Sequence, residues 1–293
     1  MPGKDKSDEA SKEKIGSIDK HEFSLISHEK LLQLYAAMIK CRVLRNRLRL
    51  FAPRNDSDGG EGFLREASLA GVTIDLVRGD AIAPARWQAL ADLAKGTLRE
   101  QSVRRLAARA RRGTRGSTAG LRFESAIQAA RVRKKKRTGR IVVAFADAGE
   151  TAPPTLRKFL AAAARQKLPM VFVVHGQRRA TAANGWEDDK WEGPWPRGGV
   201  QGLPAIVVDG DDAIAAYRVA YEAIARARRG LGPTLIECEP YRLEAPARLV
   251  EPAQGDGSIA NMENYLRRKG LWVPEARARI EASFMEELDA VSG

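Results

Sequence analysis

The residues of this chain whose types and spacing could do chemistry cluster around two apolar runs. Ile141-Val142-Val143-Ala144-Phe145 is followed by Asp147-Ala148-Gly149, and Met170 to Val174 is followed by His175-Gly176-Gln177. A continuous apolar run of this length reads as a strand covered on both faces, so Asp147 stands just past a strand end. The helix predicted to follow it, from Pro153 or Pro154, turns its free N–H groups into the same crevice. A carboxylate there can hold a divalent cation while the helix start takes the charge of a phosphate group. Gln177 follows Asp147 by one helix plus one strand (177 − 147 = 30 residues) and can add an amide oxygen as a second ligand. An Asp after a strand also serves as a helix cap or turn residue, and spacing alone leaves both readings open. His175 is the catalytic candidate, a general base if it comes within hydrogen-bond reach of a reacting proton, and otherwise a structural strand-end histidine.

The elements that must position these residues follow from pattern. Leu31, Leu34, Tyr35, Met38 and Ile39 keep helical spacing behind Ser27 as N-cap, which predicts a helix from Ser27 to about Phe51. Ala52 to Gly62 breaks it, and helical patterns resume over Arg65–Gly71, Pro84–Lys95, Leu98–Arg112 and Gly120–Arg137, so everything before Ile141 reads as helical. Ala205–Val208 and Thr234–Cys238 are further strands, separated by a helix capped by Asp211 or Asp212 and ending near Gly230. Helices over Ser258–Lys269 and Pro274–Val291 close the chain. Strand, helix and strand in alternation predict an α/β fold, a doubly wound, mostly parallel sheet flanked by helices, with ligands beyond the carboxyl ends of the strands.

Composition limits the classes. With 293 residues, 44% apolar and 30% charged, the chain can bury a large core, and residues 27–293 read as one α/β domain behind a solvated tail over 1–26. No apolar stretch approaches the roughly 20 residues that span a bilayer. Cys41 and Cys238 have no ligand-like spacing, and with the lysine- and acid-rich start they point to a cytoplasmic protein. The net charge of +13 is local: Arg99 to Arg140 holds 15 basic residues against Glu100 and Glu124, which leaves 50 − 15 = 35 bases and 37 − 2 = 35 acids elsewhere. The run Arg131 to Arg137 closes a predicted helix, where cations suit the dipole, so it is either a solvated helix end or a site for anions, whether the cofactor, an acidic partner or nucleic acid. Part of Arg99–Arg140 is expected near the mouth of the crevice. Trp186, Trp191 and Trp195 read as a packed lid or as stacking platforms. Glu66 is polar support for a site or a solvated helix residue.

A family resemblance adds what spacing cannot. Ala146-Asp147-Ala148, Leu168-Pro169 and Gly176-Gln177 resemble the thiamine diphosphate motif of 2-oxo acid dehydrogenase alpha subunits, which has Gly-Asp-Gly, Leu-Pro, an apolar strand and Asn-Asn. Gly202-Leu203-Pro204, Val208-Asp209-Gly210-Asp211-Asp212, Gly232-Pro233-Thr234-Leu235-Ile236-Glu237 and Tyr241-Arg242 resemble it almost residue for residue. Ile259, Tyr265-Leu266, Gly270-Leu271, Ile280-Glu281 and Glu286 fall where the family has them, as do Glu66-Ala67, Gly71 and Gly79-Asp80. The resemblance implies the thiamine-diphosphate-binding fold, with Asp147, Ala148, Gly149 and Gln177 at the cofactor. It also implies Mg²⁺ held by Asp147, Gln177 and the backbone carbonyl of Arg179. The partners it implies are a beta subunit in a heterotetramer and the lipoyl domain of an acyltransferase; no membrane partner is expected, and nucleic acid ranks last among the alternatives. The activity implied is oxidative decarboxylation of a 2-oxo acid with acyl transfer to lipoamide. Departures stand beside the matches: Ala146 and Ala148 replace glycines, Gln177 replaces Asn, and Pro246 stands where the family loop brings a His. Two other roles therefore remain, a catalytically impaired paralogue that binds a beta subunit and a basic nucleic-acid-binding protein.

Overall fold

The computed structural model describes residues 26–49, 66–83, 92–93, 119–147, 153–176, 200–239 and 257–292. The chain opens with α1 (His28–Arg49). Ser27 caps it, its Oγ accepting from the Lys30 N–H at 3.2 Å. A short α2 (Glu66–Thr73) and a three-residue β1 (Ala81–Ala83) follow. Then α3 (Ala119–Lys135), β2 (Val142–Asp147), α4 (Pro153–Arg165) and β3 (Met170–His175) alternate. So do β4 (Ala205–Asp209), α5 (Ala213–Arg228) and β5 (Thr234–Glu239), before α6 (Gly257–Arg268) and α7 (Ala276–Ser292). Asp212 is the residue that caps α5, its Oδ1 accepting from Ile214 N at 2.8 Å and Ala215 N at 3.0 Å. The stretch before Ile141 is not wholly helical, because β1 pairs with β2 through Ala81–Val142, Ile82–Val143 and Ala83–Ala144. Three residues are too few to show a period, so that strand leaves no pattern to read. The helices predicted over Pro84–Lys95 and Leu98–Arg112, the tryptophan cluster and Pro246 lie outside the described residues, apart from Asp92 and Leu93.

The strands form one parallel sheet in the order β1-β2-β3-β5-β4. Both faces are covered over β2, β3 and β5, as a parallel sheet requires, while Ala205, Ile206 and Val207 of the edge strand β4 are exposed. On one, Val142, Ala144, Met170, Phe172 and Leu235 meet α3 and α4 through Phe123, Ile127, Leu156 and Leu160. On the other, Val143, Phe145, Val171, Val173, Ile236 and Cys238 meet α2, α5 and α7 through Leu69, Val72, Ile224 and Phe284. A further apolar layer joins α1 and α6 to α2 and the start of α5, with Leu31, Tyr35, Met38, Ile259 and Met262 at its centre. Because α4, which follows β2, and α5, which follows β4, pack on opposite faces, the connections leave the carboxyl edge in opposite directions. That is the condition for a ligand-binding crevice in an open α/β sheet.

Close packing of α2 on α5 depends on Gly71. A Cβ there would lie 2.8 Å from the Ala213 carbonyl oxygen and from Tyr217 N, and 2.9 Å from Ala216 Cβ. Backbone atoms cannot swing aside, so Gly71→Ala is expected to cost about 1–3 kcal/mol by overpacking. Thermal denaturation followed by circular dichroism checks this, and an unchanged midpoint would contradict the close approach.

Candidate functional site

The carboxyl edge brings the sequence-predicted residues together in part. Asp147 and His175 are the last residues of β2 and β3 and stand level in the parallel register. Gly176 N–H donates to the Cys238 carbonyl at 2.9 Å, which binds the end of β3 to β5, and Gly210 N–H donates to the Glu239 carbonyl. Ala148, Gly149, Gln177 and Arg179 lie outside the described residues. Ala146 is buried, and its methyl group belongs to the apolar cluster on the α3–α4 face with Val174 and Leu203. Both cysteines are buried and neither forms a disulfide. Burial pushes the Cys41 thiol up, with Glu66 adding to the rise, so it stays protonated at neutral pH.

His175 is buried and its ring stacks on Phe145, with centroids 6.1 Å apart. Its Nε2 shares a hydrogen bond with Ser68 Oγ at 2.8 Å, which ties the first turn of α2 to the end of β3. Sequence reasoning missed Ser68. The signal that could have found it is its position two residues after Glu66, in a helix whose every residue is buried. Glu66 itself is not solvated: it is buried, paired with Arg42, within 3.6 Å of Arg45 through Oε2, and accepts from Ser258 Oγ at 2.9 Å. The segment that reads as support for a site is thus held by a buried ionic cluster. Among the described residues, no group of three or more His, Cys, Asp or Glu side chains converges as a metal cage, and no helix is long and apolar enough to cross a membrane.

Glu237 is the second residue that sequence reasoning passed over as a group with chemistry. It sits in the centre of β5 beside Val174 and Val207, only 4% exposed, and its Oε1 has no hydrogen-bond partner. Burial above all, then the charge of Glu239, raises its carboxyl from 4.5 to about 7. An acid inside an apolar run is the signal that could have found it. Because the folded carboxyl holds its proton more tightly than the unfolded one, its contribution to stability is complete below about pH 4.5 and is lost as pH rises through 7. Glu237→Gln is therefore expected to stabilise the fold at about pH 8 by on the order of 1–2 kcal/mol after discounting for solvent screening, seen as a higher melting midpoint, and to change little at about pH 4. Melts at both pH values decide it, and an equal effect at each would contradict this origin.

A parallel α/β sheet with Asp147 and the buried His175 at adjacent strand ends is an α/β architecture of the kind in which ligands sit at the carboxyl edge. The family model of the dehydrogenase E1 component matches residues 114–291, and the chain belongs to that family. It is similar to the alpha-3 subunit of the chloroplastic pyruvate dehydrogenase E1 component of Arabidopsis thaliana, 39% identical over 38% of this chain and 26% of that one. It is also similar to the alpha subunit of acetoin:2,6-dichlorophenolindophenol oxidoreductase of Bacillus subtilis, 32% identical over 50% of this chain and 47% of that one. The alpha subunit of 3-methyl-2-oxobutanoate dehydrogenase of Mycobacterium tuberculosis is 31% identical over 54% of this chain and 46% of its own. These matches span about half or less of the length of the curated relatives.

Proposed function

We propose that this chain is the alpha-type subunit of a thiamine-diphosphate-dependent 2-oxo acid dehydrogenase, an oxidoreductase that works with a beta subunit in a heterotetramer. The reaction is oxidative decarboxylation of a 2-oxo acid, with transfer of the acyl group to the lipoamide of an acyltransferase partner. The observation that carries the reading is the level placement of Asp147 and His175 at the carboxyl ends of adjacent parallel strands, with α4 beginning six residues after Asp147. When bound, thiamine diphosphate supplies the electron sink for decarboxylation. A carboxylate at this strand end supports the reading, since Mg²⁺ shared with diphosphate oxygens needs only one or two protein carboxylates. Asp147 would be that carboxylate, Gln177 and the Arg179 carbonyl would complete the protein ligands, and Ala148 and Gly149 would carry the backbone past the diphosphate. His175, fixed by Ser68 and Phe145, would shape the wall beside them, and as a general base it would act only on a proton within hydrogen-bond reach.

A second reading is favoured by the departures from the family motif. The Ala146 methyl is packed in the core, Gln177 is one methylene longer than Asn, and Pro246 carries no imidazole. A chain so altered would keep fold and partner and lose turnover. Titrating the chain, co-expressed with its beta-type partner, with thiamine diphosphate and Mg²⁺ tests both: cofactor binding weaker than in a relative with the intact motif supports the proposal, and a complex that binds none supports the second reading.

A further inference from the structure

We propose that the amino edge of the sheet, opposite the candidate site, is a docking surface for the phosphodiester backbone of a nucleic acid, contacted by Lys135, Lys136, Arg137, Arg140, Lys167 and Arg229. The inference is independent of the reading at the carboxyl edge. For Arg131–Arg140 it also corrects the expectation that part of the Arg99–Arg140 segment lies near the mouth of the crevice. A helix that leads into a parallel strand ends at that strand's amino end, so α3, α4 and α5 all terminate on this edge, in the turns that enter β2, β3 and β5.

The turns form one rim. Arg131 Nε donates to Gln166 Oε1 at 2.8 Å and Lys134 Nζ to the Gln166 carbonyl, which joins the ends of α3 and α4. Lys167 Cα is 3.5 Å from where a Cβ on Gly232 would lie, which joins α4 to the turn entering β5. The Arg140 side chain lies against Gly79, ahead of β1. Some of the rim's cations are used internally: Arg133 donates to the Gly79 and Ala129 carbonyls, and Arg228 pairs with Asp80 at 2.7 Å. Asp75, the other acid here, is paired with Lys30 at 2.8 Å. The six proposed cations have no carboxylate partner among the described residues, and all but the half-buried Arg140 are exposed.

Backbone conformation supplies the second observation. The helices α3, α4, α5 and α6 end in the same pair of hydrogen bonds, which places one residue in the left-handed region. In α5 and α6 that residue is Gly230 (φ 73°) and Gly270 (φ 68°), as sterics prefer. In α3 and α4 it is Arg137 (φ 48°) and Lys167 (φ 42°). Each cation holds a conformation that disfavours a Cβ, at positions where glycine would fit better, which marks the charge itself as the feature that matters there. The rim segments Arg131–Arg140, Arg165–Leu168 and Arg228–Gly232 contain no aromatic residue. Protein interfaces centre on aromatic anchors and are poor in Lys. Phosphate contacts need only the cations and carry no sequence information.

The test is fluorescence anisotropy of a labelled random-sequence duplex titrated with the full chain at low and physiological salt. Binding is expected to weaken steeply with salt. The pair Arg137→Gly and Lys167→Gly is expected to raise the melting midpoint by relieving the left-handed conformations. It should also weaken duplex binding, with a fall of about 1.8 in the log–log salt slope, about 0.9 for each phosphate no longer neutralised. Lys135→Gln with Lys136→Gln should weaken binding by a similar amount and leave the midpoint unchanged. The proposal is overturned by no duplex binding at low salt, by binding that neither pair of substitutions weakens, or by poly-glutamate competing more tightly than the duplex itself, which would assign the rim to an acidic protein.

Discussion

Asp147→Ala is expected to lower Mg²⁺-dependent binding of thiamine diphosphate by more than about 100-fold, because even groups that only orient a metal ligand contribute 10–100-fold to affinity. Asp147 is the last residue of β2, level with His175, and in the proposed site it is the one acidic ligand of an ion that would otherwise rest on neutral oxygens. The substitution lies at a strand end rather than in the strand's covered centre, so the fold should survive it and the loss should appear in calorimetry without a matching fall in the melting midpoint. Retained tight binding would move the cofactor site away from this strand end.

Glu66→Ala is expected to be the most destabilising single change in the described structure. Glu66 is buried between Arg42 and Arg45 and accepts a hydrogen bond from Ser258 at 2.9 Å, so one carboxylate joins α1, α2 and the start of α6. Removing it takes the Glu66 charge away from Arg42, a residue only 8% exposed. Breaking a buried pair from one side costs about 3–5 kcal/mol, which for a chain of this size lowers the midpoint by on the order of 10 °C. The conservative Glu66→Gln keeps an acceptor for Ser258 and should fall between the two. Thermal melts of both variants measure this, and an alanine variant as stable as the parent would show that the cluster contributes nothing.

The strands and the helices between them were legible in the sequence because strands covered on both faces demand continuous apolar runs, as in β2, β3 and β5, and the exposed edge strand β4 keeps such a run too. Helix ends were legible where a side chain makes the cap, as at Ser27 and Asp212. β1 was not, since Ala81-Ile82-Ala83 becomes a strand only by pairing with β2. In the site, the level placement of Asp147 and His175 follows from strand lengths. The Ser68–His175 hydrogen bond instead joins residues 107 apart and exists only once α2 is laid across the sheet. The burial of Glu66 is legible no better, because its partner Arg42 is 24 residues away on another helix. The basic run offered the opposite lesson. The position of Arg99–Arg140 just before β2 suggested that part of it neighbours the crevice, whereas winding direction alone sends the end of α3 to the far edge.

Decarboxylation of 2-oxo acids by the chain co-expressed with its beta-type partner, measured with and without thiamine diphosphate and Mg²⁺, tests the proposed function most directly. The expected result is a stable complex whose turnover depends on both additions and disappears with Asp147→Ala. A complex that forms yet neither binds the cofactor nor releases CO₂ from any 2-oxo acid would contradict it and leave the chain as an assembly partner.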